Sequence, residues 1–379
     1  METMSPRQRV LTALAHQEPD RVPFDLPLTI ASYNKLRRHL GLPATESPFG
    51  PASDIAWVEP KVLSALGVDF IRVHARGPKN RPLKINADGT MVDEWGITRQ
   101  RVDLDEGIYY VEMVGHPLKD ATREDLERYP WPDPYDEGRI EGLAAEAKFC
   151  REQTDYAVVG HLAGSIWEMA AYLCGFESLY LNVALNPGFI EALLDKLCEL
   201  QMAMYTVTLR KAGPYIDILR LAGEDLGTQM GPMISPEKFR QIVKPRLKTL
   251  VTFARDTLRQ YNPNGKVLLH SCGDIYPFIE DFIECGVDIL DPLQPRAAEM
   301  DHQRIKAQYG GRLCFHGGID IQHTLPFGTP AEVAAEVRQA VATLGQGGGY
   351  ILAPAHNVQG DVPPENLMAM AEAVRKGSD

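Results

Sequence analysis

Lys266-Val-Leu-Leu-His-Ser-Cys-Gly-Asp274 is the stretch on which the reading of this 379-residue chain turns. The turn residues Asn262-Pro-Asn-Gly265 precede it, a short apolar run follows, and the run breaks off at a histidine, a cysteine and a glycine. An apolar run of this length between turn signals predicts a strand buried on both faces, and the helical pattern from Ile275 to Glu284 predicts a helix behind it. A strand, then polar side chains, then a helix is how α/β proteins present chemical groups. Side chains two apart on an extended segment point the same way, so His270 and Cys272 converge while Ser271 faces away. Imidazole with thiolate is a zinc-type pair. An isolated His-x-Cys equally fits a buried histidine beside a structural cysteine, so the rest of the chain has to decide.

Working outward, apolar runs and helical patterns alternate. Strands are expected over 21–26, 67–74, 156–162, 216–222, 266–270, 287–290, 312–316 and 349–353. Helices are expected over 5–16, 30–40, 60–66, 138–151, 164–173, 187–211, 235–259, 274–285, 300–308, 329–344 and 363–376. Residues 87–117 break the alternation: Asn86-Ala-Asp-Gly89, Gly96 and Glu106-Gly107 punctuate short alternating pieces, which predicts an antiparallel hairpin insertion. Tyr129-Pro-Trp-Pro-Asp-Pro134 is a loop, because three prolines remove donors and fix φ. Eight strands alternating with helices predict a (β/α)8 TIM-type barrel as a single domain over 1–379, with an N-terminal helix and the hairpin inserted; a doubly wound open sheet is the alternative.

In a parallel barrel the site lies at the C-terminal strand ends. Those ends carry Asp25, His74, His161, Glu224 with Asp225, His270 with Cys272, Asp291 with Gln294, His316 and His356, so five of the ten histidines sit there. Leu352-Ala-Pro-Ala-His-Asn357 repeats the design of an apolar strand tipped by a ligand-type side chain, and His356 would complete a metal set with His270 and Cys272. Three protein ligands from separate strands with one position open is the arrangement of catalytic zinc. Glu224 and Asp225 are the candidate catalytic carboxylates, whether orienting a histidine or moving a proton. Gln294, His161, His316 and Tyr350 are candidate substrate contacts; Trp167, Tyr172 and Tyr350 also suit the core.

Composition limits the classes. At 44% hydrophobic and 24% charged residues the chain has the balance of an ordinary globular protein. A formal charge of −12, with no basic run longer than Arg37-Arg38, argues against nucleic acid and anionic membranes as partners. No apolar run approaches a membrane span, and the N-terminal residues read as a polar amphipathic helix, so a cytoplasmic protein is expected. The six cysteines lack disulfide-like spacing, and Cys150, Cys174 and Cys198 fall on helical patterns as structural thiols. Gly345-Gln-Gly-Gly-Gly349 precedes a strand and so lacks the context of a phosphate loop.

Arg9-Val-Leu-Thr-Ala-Leu-Ala-His-Gln-Glu-Pro-Asp-Arg-Val-Pro23, Ser235-Pro-Glu-Lys-Phe239, Lys244-Pro245, His270-Ser-Cys-Gly273, Gly286-Val-Asp288, Leu352-Ala-Pro354 and Pro364-Glu-Asn366 together resemble the uroporphyrinogen decarboxylase superfamily, and within it the corrinoid-linked methyltransferase branch. The resemblance implies a (β/α)8 barrel with its cleft at the strand ends. The decarboxylase proper has an arginine-rich segment after its first strand, where this chain has Leu26-Pro-Leu-Thr-Ile-Ala-Ser-Tyr33 with no arginine to clamp the carboxylates of a porphyrinogen. The methyltransferases are similar in having His-x-Cys and a later Cys around zinc; His270 and Cys272 match, and His356 stands where the second Cys would be. The resemblance thus implies zinc, a small methylated donor, and a corrinoid (cobalamin) carried by a partner protein. With one thiolate instead of two, the expected centre keeps a net positive charge, which suits an O-methyl donor better than a thiol. A metal-free tetrapyrrole decarboxylase and a non-catalytic corrinoid-binding barrel are the rival readings, and a homodimer is a possible assembly.

Overall fold

The computed structural model describes residues 3–104 and 108–376. Eleven strands are present among them: β1 (Phe70–His74), β2 (Lys84–Ile85), β3 (Met91–Val92), β4 (Thr98–Asp103), β5 (Tyr109–Gly115), β6 (Ala157–His161), β7 (Ile218–Leu221), β8 (Lys266–His270), β9 (Ile289–Leu293), β10 (Cys314–Ile319) and β11 (Tyr350–Pro354). Seven of them, β1-β6-β7-β8-β9-β10-β11, form one curled parallel sheet in chain order, and β2 to β5 form a separate antiparallel sheet. Every strand of the parallel sheet is largely buried, as expected where helices cover one face and the opposite side chains fill the interior.

The expected elements recur with shifts that have local causes. Helix Pro60–Leu66 ends at Gly67 in the left-handed region, φ 70°, so β1 starts at Phe70 rather than 67. The helix expected over 235–259 begins at Pro236 and runs to Tyr261, with a π turn over Phe239–Val243. Pro245 has no N–H to give the carbonyl one turn back, and the widened turn precedes it directly. The hairpin expected over 87–117 is a four-stranded meander beginning at Lys84; its turn signal Glu106-Gly107 lies outside the described residues. β9 runs to Leu293 and so includes Asp291 and Pro292; the ladder with β10 shifts register between Phe315 and Gly317. Gly317 has φ 110°, and a Cβ there would lie 2.9 Å from the Leu293 nitrogen.

The strand expected over 21–26 is reduced to a single bridge. Phe24 pairs in parallel with Leu352 of β11, and its carbonyl accepts a hydrogen bond from Asp69, just before β1. Pro23 accounts for the reduction, since it has no ladder N–H. A buried ion cluster pins the run instead. The fully buried Asp69 accepts from Arg9 at 2.6 Å, from Arg21 at 2.7 Å and from the Phe24 backbone at 2.8 Å, which ties the first helix, the bridge and β1 together. Removing that carboxylate takes from both buried arginines the counter-charge they share, although Arg9 keeps Asp20 at 2.7 Å. Asp69→Ala is therefore expected to cost about 3–5 kcal/mol of stability in urea unfolding, against under 1 kcal/mol for an exposed pair such as Lys79–Glu141.

Candidate metal centre and cavity

The C-terminal end of β8 is where the chemistry collects. His270 is its last residue, and the chain then turns through Ser271, Cys272 and Gly273. The turn is tightly held: Ser271 Oγ donates to the Glu224 carbonyl at 2.7 Å, and the Cys272 N–H donates to Asp225 Oδ1 at 2.9 Å. The Gly273 N–H donates to Gln294 Oε1. Gly273 has φ 85°, and a Cβ there would fall 2.3 Å from Gly227, so no other residue fits where the two loops cross.

This turn brings His270 Nε2 to 3.2 Å from Cys272 Sγ, and His356, just past β11, joins them; the three ligand atoms lie within 4.8 Å of one another. A tetrahedral zinc needs neighbouring donors roughly 3.5 Å apart, so the His–Cys pair is near binding distance and His356 needs a small side-chain movement. The other ring nitrogen of His270 donates to Asp291 Oδ2 at 2.6 Å, which fixes the tautomer with Nε2 free toward the site. Donor chemistry, spacing and the orienting carboxylate all fit zinc.

Asp291 also serves His316. Its second oxygen accepts from His316 Nδ1 at 2.7 Å, His316 Nε2 reaches Asp25 Oδ2 at 3.0 Å, and Arg72 closes the chain on Asp25 at 2.6 Å. A continuous buried relay, His270–Asp291–His316–Asp25–Arg72, therefore crosses the floor of the site from β8 to β1. Burial works against charge on His316, yet the two carboxylates outweigh it and lift its pKa to about 9. Burial also opposes charge on Asp291, but His316 and His270 hold its carboxyl well below the usual range.

A cavity of about 250 Å³ opens over this relay. His270, His356, His316, Asp291 and Asp25 line it, as do Arg72, Arg220, His74, His161 and apolar walls that include Phe49, Ile55 and Trp57. His74 and His161 stack with ring centroids 4.5 Å apart, and burial pushes both imidazoles down, to about 3 for His74, so they stay neutral.

Sequence reasoning placed His270, Cys272, His356, His161 and His316 around one site, and the structure brings them together. Three expectations need correction. Tyr350 stands at the start of β11, fully buried with its hydroxyl on the Gly317 carbonyl at 2.9 Å, and takes no part in lining the cavity. Gln294 accepts from the Gly273 N–H through Oε1 and is not among the residues lining the cavity. Glu224 is a helix cap: its oxygens accept from the Ile166 and Trp167 N–H groups at 2.8 and 2.6 Å, at the start of helix Trp167–Cys174. Only Asp225 of that pair faces the site, with Oδ1 3.8 Å from His270 Nε2.

Burial raises the pKa of Glu224 to about 8 from an ordinary 4.5. Between those values the folded protein keeps a proton that the unfolded chain releases, so stability falls as pH rises from about 5 to 8. Glu224→Gln should flatten that part of the profile of urea midpoint against pH, whatever it does to the mean.

Two participants were missed. Glu168, on the capped helix, is half-buried near Asp225, and desolvation followed by that like charge raises its pKa. Arg220 sits within β7, in the otherwise apolar Ile218-Leu-Arg-Leu221, and a charge inside a buried strand was the available signal.

Comparison with known proteins follows the same line. A family model described as Uroporphyrinogen decarboxylase (URO-D) matches residues 100–377. The curated uroporphyrinogen decarboxylase of Psychromonas ingrahamii is 22% identical over 280 residues, 71% of this chain and 73% of its own. That of Citrobacter koseri is 26% identical over 270 residues, 68% and 70% of the two chains. Among solved structures, a methyltransferase from Methanosarcina mazei aligns over 98% of this chain and 99% of its own, with a TM-score of 0.66 and 21% identity.

Proposed function

We propose, for a chain that belongs to the uroporphyrinogen decarboxylase family, that it is a zinc-dependent methyltransferase which moves a methyl group from a small O-methyl donor to the cobalt of a corrinoid presented by a partner protein. The bridge at Phe24 is then the eighth stave of a closed (β/α)8 barrel, with the cavity at its C-terminal mouth. One observation carries the reading: His270, Cys272 and His356 gather within 4.8 Å at the edge of a cavity near 250 Å³. That volume lies below the roughly 300–1,000 Å³ of pockets for drug-sized ligands, so it suits a small donor and not a tetrapyrrole bearing eight carboxylates.

In the transfer, the donor's carbon–oxygen bond breaks and a cobalt–carbon bond forms with the electron pair of the reduced cobalt, which enters as second substrate; the departing alkoxide or phenoxide must gain a proton. Zinc held by two neutral imidazoles and one thiolate would supply Lewis acidity toward that oxygen. The protein's own residues do the rest. Asp291 fixes His270, and burial keeps the His356 imidazole below its ordinary pKa and thus neutral as a ligand. Asp225 and Glu168, packed beside the His–Cys turn, are the carboxyls placed to hold or deliver the proton, with Glu168 protonated more readily because burial raises it.

The test is turnover. With reduced corrinoid and a panel of methoxy compounds, methylamines and thiols, methylation of cobalt by a methoxy donor supports the reading. Loss of carboxylates from a porphyrinogen, with no methyl transfer, removes it. His356→Cys separates the charge argument from the metal itself: the variant should retain zinc while O-demethylation falls about tenfold or more, since neutralising the centre weakens stabilisation of the leaving oxygen by at least 1.4 kcal/mol.

A further inference from the structure

Among the described residues, the cavity lining holds one arginine that makes no side-chain hydrogen bond. Arg220 projects from β7 among the cavity-lining residues, and its nearest carboxylate, Asp291, is 3.7 Å away with both oxygens already engaged by His270 and His316. Among the described residues Arg220 makes no side-chain hydrogen bond, whereas Arg72, the other lining arginine, is paired with Asp25 at 2.6 Å. A guanidinium offers five donors in a planar fork that matches a carboxylate, and holding those donors unused in a barrel interior is costly unless a ligand meets them.

The charge balance agrees. Asp25 and Asp291 face Arg72, Arg220 and a protonated His316, which leaves one positive charge over before the metal site is considered. His74 and His161 add neutral rings, with His74 Nδ1 and His161 Nε2 buried and without partners. Arg220 lines the same cavity as the stacked His74 and His161 and as His270 and His356. A molecule filling the cavity would meet Arg220 and also His270 and His356, the two imidazoles of the candidate metal set, with Ile55, Trp57 and Phe49 offering apolar walls.

We propose that the methyl donor is a small methoxylated carboxylic acid whose carboxylate is bound by Arg220 while its ether oxygen faces His270, Cys272 and His356. The inference rests on the methyltransferase reading for the ether end and on Arg220 alone for the acid end. The two are separable by experiment. Calorimetric titration of the zinc-loaded protein with 4-methoxybenzoate against 4-methoxybenzamide, and with methoxyacetate against methoxyacetamide, compares an acid with its neutral isostere. At least one acid should bind ten-fold or more tighter than its amide, Arg220→Gln should erase that preference with zinc content unchanged, and Arg220→Lys should keep part of it. Repeating the titration after chelation isolates the subsite, because the preference depends on Arg220 and persists without metal even if methyl transfer is never found. Equal binding of acid and amide in both pairs, or a full preference surviving in Arg220→Gln, overturns the proposal.

Discussion

Replacing Cys272 by serine is expected to strip the protein of zinc. The side chain is the only thiolate of the His270, Cys272 and His356 set, and a serine hydroxyl is both harder and far less acidic. Zinc sites with four ligands bind with roughly 10–16 kcal/mol, so each ligand accounts for about 3 kcal/mol, or roughly a hundredfold in affinity. Protein purified from zinc-supplemented medium should carry about one zinc per chain as wild type and close to none as Cys272→Ser, by elemental analysis. The fold should survive, because the turn is held by backbone and neighbouring groups, with Asp225 accepting from the Cys272 N–H and Ser271 donating to Glu224. Full zinc content in the variant would show that the metal, if any, lies elsewhere.

The second large effect belongs to a residue that touches no metal. Asp291 accepts from the Nδ1 atoms of both His270 and His316, one on each oxygen. Asparagine keeps the shape but offers one acceptor and one donor. One of the two histidines must then give up its Nδ1 proton to act as acceptor, and if that is His270 its ring proton sits on Nε2, so that the nitrogen facing Cys272 is no longer free to bind. Asp291→Asn should therefore lower zinc affinity about 10- to 100-fold with the ligands intact. Competition with a fluorescent chelator measures it. An affinity within a factor of two of wild type would mean that the relay does not orient His270.

The parts of this site that were readable from the chain are those in which one residue type does one job at a strand end. His270 and Cys272 are two apart on an extended segment, and His356 follows the apolar strand Tyr350–Pro354, so periodicity alone puts them at one end of the sheet. What was hidden depends on pairing across strands. Glu224 and Asp225 are equivalent in sequence, yet Glu224 turns away to cap helix Trp167–Cys174 because two buried N–H groups there need acceptors. Asp291 was visible as a strand-end acid, but its double duty follows from β8, β9 and β10 lying side by side, which no local pattern encodes. Tyr350 shows the opposite error: at the beginning of its strand, next to the cavity-lining Ile351, it turns away from the cavity and places its hydroxyl on the Gly317 carbonyl. The strand at 21–26 was expected from its apolar residues, while Pro23 and the Asp69 cluster decide how little ladder it forms.

The central claim joins the candidate metal site at His270, Cys272 and His356 to methyl transfer, and one measurement bears on it most directly. The rate at which reduced corrinoid is methylated from a methoxy donor can be followed by its absorbance with the protein as purified, after removal of metal by a chelator, and after return of zinc in increments. The account predicts that activity disappears with the metal and returns in proportion to added zinc, reaching its plateau near one equivalent per chain, and that Cys272→Ser gains nothing from added zinc. Methyl transfer that continues unchanged in metal-free protein, or that zinc restores equally in Cys272→Ser, would contradict it.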